Sequence, residues 1–73
     1  MPKTVPPPPW RVELGTRVRA LRAEREWSQE TLAEKAGIHP TYVSGIERGR
    51  RNVSIDILRR LAVAFGLEMR DLF

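Results

Sequence analysis

The residues best suited to chemistry lie together between Gln29 and Asn52. Thr41, Ser44 and Arg48 recur at helical spacing, which puts two hydroxyls and a guanidinium on one face, with Tyr42 beside them. Arg50, Arg51 and Asn52 follow at once. Hydroxyls donate or accept hydrogen bonds, and guanidinium groups grip phosphates and guanine edges in a bidentate manner. This is chemistry for reading a polar, anionic surface. It is not chemistry for making bonds: the chain holds one histidine, His39, and no cysteine. No nucleophile and base stand at a sensible spacing, so no enzyme is expected. A lone histidine without thiolates cannot build a zinc site, and no metal, cofactor or small-molecule ligand is expected.

These polar residues can face outward only if the other side of their helix is buried. Val43 and Ile46 supply that side, so a third helix is expected over Pro40–Arg48, with Pro40 at the first position, where its missing N–H costs nothing. Gly49 ends it, and Arg50-Arg51-Asn52-Val53 forms a basic loop. The preceding helix is expected over Gln29–Ala36, with Ser28 as N-cap, Glu30 in the first turn, and Leu32, Ala33 and Ala36 turned inward. Gly37 suits the left-handed residue after its end. Two short helices joined by so brief a turn can cross steeply only over a small side chain, and Ala33 is the candidate.

The flanking sequence completes an all-α, five-helix domain. Leu14, Val18 and Leu21 mark a first helix over Val12–Glu26, and Trp27 should cover the base of the core. Ser54 starts a fourth helix whose apolar stripe is Leu58, Leu61, Ala62 and Phe65, and Gly66 stops it. Leu67–Phe73 reads as a short final helix. No segment alternates with period two, so no sheet is expected. Residues 1–11 are expected to form a Pro-rich flexible arm and 12–73 the folded domain. Pro6-Pro7-Pro8-Pro9 favours polyproline II and suits a spacer better than a ligand for an aromatic groove.

At 73 residues the chain allows one domain near the lower limit of core size, and such domains gain stability from disulfides, metals or self-association. Only the last is open here. Leu67, Met69, Leu72 and Phe73 form an apolar cluster at the end, which points to a homodimer interface. The formal net charge is +4, and arginine supplies nearly all the positive charge, since Lys3 and Lys35 are the only lysines. No apolar run reaches membrane-spanning length, so no membrane partner and a cytoplasmic location are expected.

The stretch Ser28-Gln29-Glu30-Thr31-Leu32-Ala33, Gly37-Ile38, Val43-Ser44, Ile46-Glu47-Arg48-Gly49 and Leu58-Arg59-Arg60-Leu61-Ala62 resembles the phage repressor and Cro (xenobiotic-response-element) family of helix-turn-helix regulators. The resemblance covers about Leu14–Phe73. It implies a lambda-repressor-like domain and a sequence-specific, DNA-binding transcription regulator. Such a protein lays its third helix in the major groove of a palindromic operator as a homodimer. It further implies that Gln29 contacts a phosphate and braces that helix, and that Thr41, Tyr42 and Ser44 face base edges. Arg48, Arg50, Arg51 and Asn52 would hold the backbone, with Arg51 also within reach of a base. Arg22 and Glu47 match family positions that form an internal ion pair.

Thr41-Tyr42-Val43-Ser44 and Arg48-Gly49-Arg50-Arg51-Asn52 look like the controller proteins of restriction–modification systems, although generic short repressors share this wording. One departure matters: Pro40 stands where the family often carries a polar or basic base-reading residue. His39, at the helix start, is left to substitute for it or to touch phosphate. The competing class is a protein-interaction module, an antitoxin or adaptor without base readout; Thr41, Tyr42 and Arg48 on the outer face argue against it.

Overall fold

The computed structural model describes residues 8–73. The proline run and Lys3 of the expected arm lie largely outside the described residues. Four α-helices follow one another, α1 (Pro9–Glu24), α2 (Gln29–Ala36), α3 (Pro40–Glu47) and α4 (Ile55–Phe65), and a 3₁₀ turn closes the chain at Met69–Leu72. Among the described residues there is no strand.

α3 ends one residue early, at Glu47, and three larger departures from expectation each have a local reason. The first helix begins at Pro9, not Val12, because a proline fits the first helical position and its fixed φ continues into the turn. Trp10 and Arg11 are therefore helical. The same helix stops at Glu24, not Glu26. Glu26 takes a left-handed φ of 56°, and Trp27 N–H donates to the Arg22 carbonyl at 3.0 Å. This is the reversal that ends α2, α3 and α4 at Gly37, Gly49 and Gly66, made here without glycine. The fifth helix is not an α-helix. The residues after Gly66 form one tight turn, in which Asp71 N–H donates to the Glu68 carbonyl and the Asp71 carboxylate accepts from Glu68 N–H at 3.1 Å.

Leu14, Val18 and Leu21 of α1 meet Leu32, Ala33 and Ala36 of α2, Val43 and Ile46 of α3, and the stripe of α4 in one buried core. Trp27 caps its base, stacked on Phe65 with ring centroids 5.7 Å apart. Leu72 is fully buried in this core. It belongs to the chain's own packing and leaves the expected interface set, whereas Leu67 and Met69 are half-buried and Phe73 is exposed. Arg17 ties the last turn to α1 by donating to the Asp71 carbonyl at 3.0 Å.

Ala33 is buried, as expected, and a further close approach lies between α1 and α3. A Cβ built on Gly15 would collide with the Ile46 carbonyl oxygen and lie 2.7 Å from that of Glu47. The missing side chain lets α1 rest directly on the backbone of α3.

Candidate nucleic-acid interface

The site is built on α3, and α3 is fixed first at its C-terminal end. Arg22 of α1 donates from Nε to Glu47 Oε2 at 2.8 Å and from Nη2 to Oε1 at 3.0 Å. Its Nη1 reaches the Trp27 carbonyl at 2.8 Å. Gln29, the first residue of α2, donates from Nε2 to the same Glu47 Oε1 at 3.0 Å. One carboxylate thus gathers three elements. The Glu47 side chain is 4% exposed and that of Arg22 17%, so the pair is well shielded from water. The hydrogen bond to Glu47 raises the Arg22 pKa above its ordinary value, desolvation opposes this, and the Glu47 charge adds to the rise. Arg22 is spent internally, and Gln29 braces α3 as the family resemblance implies.

At the other end His39 is the N-cap of α3. Its Nδ1 accepts from Thr41 N–H at 3.1 Å. Thr41 is exposed and Ser44 half-buried, on the side away from Val43 and Ile46. Arg48 is exposed at the helix end, where its Nε donates to the Ser44 carbonyl at 3.3 Å. Arg50, Arg51 and Asn52 are exposed and continue the face into the loop. The structure therefore brings Thr41, Ser44, Arg48 and the basic loop together around one helix. Gln29 stands behind that helix and His39 at its head.

Tyr42 departs from the simple reading of a free base-facing ring. It is half-buried, its hydroxyl donates to the Asn52 carbonyl at 3.3 Å, and the Arg51 guanidinium lies over its ring at 5.0 Å. The stem of Arg51 crosses Gly45, where a Cβ would stand 2.7 Å from Arg51 Cγ. Tyr42 thus docks the loop on α3, and Arg51 lies along the outer face already ordered by a cation–π contact. Sequence reasoning missed Gly15 and the path that Gly45, expected only as part of the outer face, opens for Arg51. An isolated glycine inside a helical pattern is itself a signal of close approach, and both carried it.

Comparison with known proteins identifies the family. The helix-turn-helix family model HTH_3 matches residues 18–72. Control protein C.BamHI of Bacillus amyloliquefaciens is 43% identical over 63 residues, covering 85% of this chain and 78% of that protein. The immunity repressor protein of Bacillus phage phi105 is 41% identical over 56 residues, 77% of this chain and 39% of the repressor. The crystal structure of the restriction-modification controller protein C.AhdI from Aeromonas hydrophila superposes with a TM-score of 0.84 at 48% identity, covering 86% of this chain and 96% of that one. No helix among the described residues is long and apolar enough to cross a membrane. The chain belongs to the helix-turn-helix family of sequence-specific DNA-binding transcription regulators, a family of regulators and not of enzymes.

Proposed function

We propose that this chain acts as a homodimer that lays α3 of each protomer in the major groove of a palindromic operator, in the manner of a restriction–modification controller. Thr41 and Ser44 meet base edges, with Tyr42 beside them. Arg48, Arg50 and Asn52 hold the phosphate backbone, Gln29 contacts a phosphate at the start of α2, and Arg51, carried on the Tyr42 ring, reaches a base or a phosphate. The observation that carries this reading is the single polar face of α3. It is anchored behind by Glu47 and edged by exposed arginines. Base contacts specify and phosphate contacts position, and the two kinds of residue stand side by side here. The likeness to C.AhdI and C.BamHI supports the controller assignment.

The dimer face is the outer side of α4 with the final turn. Ile55 and Val63 are each 70% exposed and Phe73 64%, an apolar excess that water alone does not favour. Between α4 and the turn runs a groove lined by Arg59, Val63, Leu67, Glu68, Met69 and Arg70. Its apolar side chains, set among charges of both signs, suit a second copy of itself. A two-fold pair would set the α3 helices about 34 Å apart, one turn of duplex.

Selection of bound duplexes from a random pool, followed by sedimentation of the protein with a selected duplex, tests both parts. Symmetric half-sites and a two-to-one complex are expected. Recovery of unrelated sequences only, or a monomer under all conditions, would reject the docking or the dimer respectively.

A further inference from the structure

The first turn of α3 differs from an ordinary helix start. A helix usually leaves its first N–H groups free, and these form a ready phosphate site. Pro40 has no N–H. The next donor, Thr41 N–H, is taken by His39 Nδ1 at 3.1 Å. Tyr42 N–H and Val43 N–H both donate to the His39 carbonyl, at 2.9 and 3.3 Å. The backbone of this turn is therefore closed to an anion. Its remaining donors are the Thr41 hydroxyl and the other nitrogen of His39.

The cap also sets the state of that nitrogen. A backbone N–H can only donate, so Nδ1 must be the unprotonated acceptor, and the neutral ring then carries its proton on Nε2. The two nitrogens flank Cε1, so their outward directions diverge widely. With Nδ1 turned into the helix, Nε2–H points away from it, and His39 is exposed. The ring is thus a donor of fixed direction at the head of the helix. In a helix-turn-helix protein that end of the recognition helix enters the groove.

We infer that His39 reads a purine through a hydrogen bond from Nε2–H to the base N7. The inference rests on the docking proposed above. N7 is an acceptor on the major-groove edge of both adenine and guanine, whereas a pyrimidine has no acceptor at that place. A single donor tells purine from pyrimidine but does not tell adenine from guanine. The position under His39 is therefore a degenerate purine in the operator. His39 in this way takes the place of the side chain that Pro40 cannot supply.

His39→Ser separates the two roles of the ring, because serine caps a helix well but reaches no base. The melting temperature of His39→Ser should equal that of the parent. On the selected duplex, replacing one purine per half-site by its 7-deaza analogue should weaken parent binding about tenfold and leave His39→Ser binding unchanged. Ring ¹⁵N shifts of the free protein should show the Nε2–H tautomer. A protonated Nδ1 would overturn the inference, as would the lack of any 7-deaza position whose effect disappears in His39→Ser. If a neutral methylphosphonate shows that coupling instead, the ring touches phosphate and base reading is rejected. Failure to select any duplex would overturn the docking reading, and this one with it, while the tautomer could still be read in the free protein.

Discussion

The C-terminal end of α3 is held by three side-chain hydrogen bonds on one shielded carboxylate and by the backbone of α1 pressed against it at Gly15. The N-terminal end is held by one exposed imidazole and a proline. The first arrangement is costly to disturb and tolerates little change. The second leaves side chains free to vary without loss of the fold. The helix is placed from one end and, in the docking proposed above, reads from the other, so stability and recognition should respond to substitution at opposite ends.

The strongest test of this contrast is Glu47→Ala. It strands the Arg22 guanidinium and the Gln29 amide, and breaking a shielded pair from one side costs about 3 kcal/mol. Urea unfolding should show that loss, and operator binding should fall with it. A change below about 1 kcal/mol would mean that the C-terminal end is not the anchor. Because the Arg22 pKa is raised, the stability linked to its own titration is present below the ordinary arginine range and is lost as pH rises through the folded value. Acidic conditions should not release it through Arg22.

Gly15→Ala should come next. The added methyl meets two carbonyl groups that cannot rotate away, and overpacking costs roughly 1–3 kcal/mol. Thermal unfolding measures it, and an unchanged melting temperature would place the close approach elsewhere.

The reading end should behave in the opposite way. Thr41→Ala should leave melting unchanged, lower operator affinity about tenfold, and spare random duplex. Arg50→Ala should weaken operator and random duplex alike. It should also shrink the slope of log K against log salt by about two in a dimer, one phosphate per protomer. A salt titration of both variants on both duplexes distinguishes these outcomes. If Thr41→Ala hits both duplexes equally, α3 does not read bases.

The smallest effect is expected at a turn that touches neither end. Glu26→Gly removes the Cβ from a left-handed residue at the cost of a looser unfolded chain, a net gain of at most about 1 kcal/mol by urea unfolding, with operator binding unaltered.

What could be read from the sequence follows the range of the interactions involved. Ser28, Gly37, Pro40 and Ser54 act on their own neighbours, so the borders of α2 and the starts of α3 and α4 were legible. The start of α1 was not, because a proline run favours an extended chain until its last member serves as the first helical residue. The final turn looked like a helix, since Met69, Leu72 and Phe73 have helical spacing, yet it closes as a single 3₁₀ turn. The interior position of Leu72 depends on where α1 and α4 leave space, which is a tertiary fact. In the site, the residues of α3 and the loop were legible from their types and from resemblance. The Tyr42 bond to Asn52 and the path of Arg51 over Gly45 were not, because they depend on how the loop folds back. The closed first turn of α3 was within reach of sequence reasoning only in part. Pro40 announced one missing donor, but the use of Nδ1 depends on a rotamer.

The stacking of Trp27 on Phe65 gives this small protein a built-in optical reporter. The indole sits at the α1–α2 turn and its partner at the end of α4, so the stack forms only when distant parts of the chain have closed. Arg25 and Lys35 place positive charge over the same ring, at 5.8 and 5.0 Å. Indole emission depends on both contact and field, so Trp27 fluorescence should follow closure of the core without any added label. The other tryptophan, Trp10, sits half-buried in the first turn of α1, and replacing it with phenylalanine would leave Trp27 as the sole indole. Collapse of the fold could then be watched in the same sample in which DNA docking is followed by a dye on the duplex.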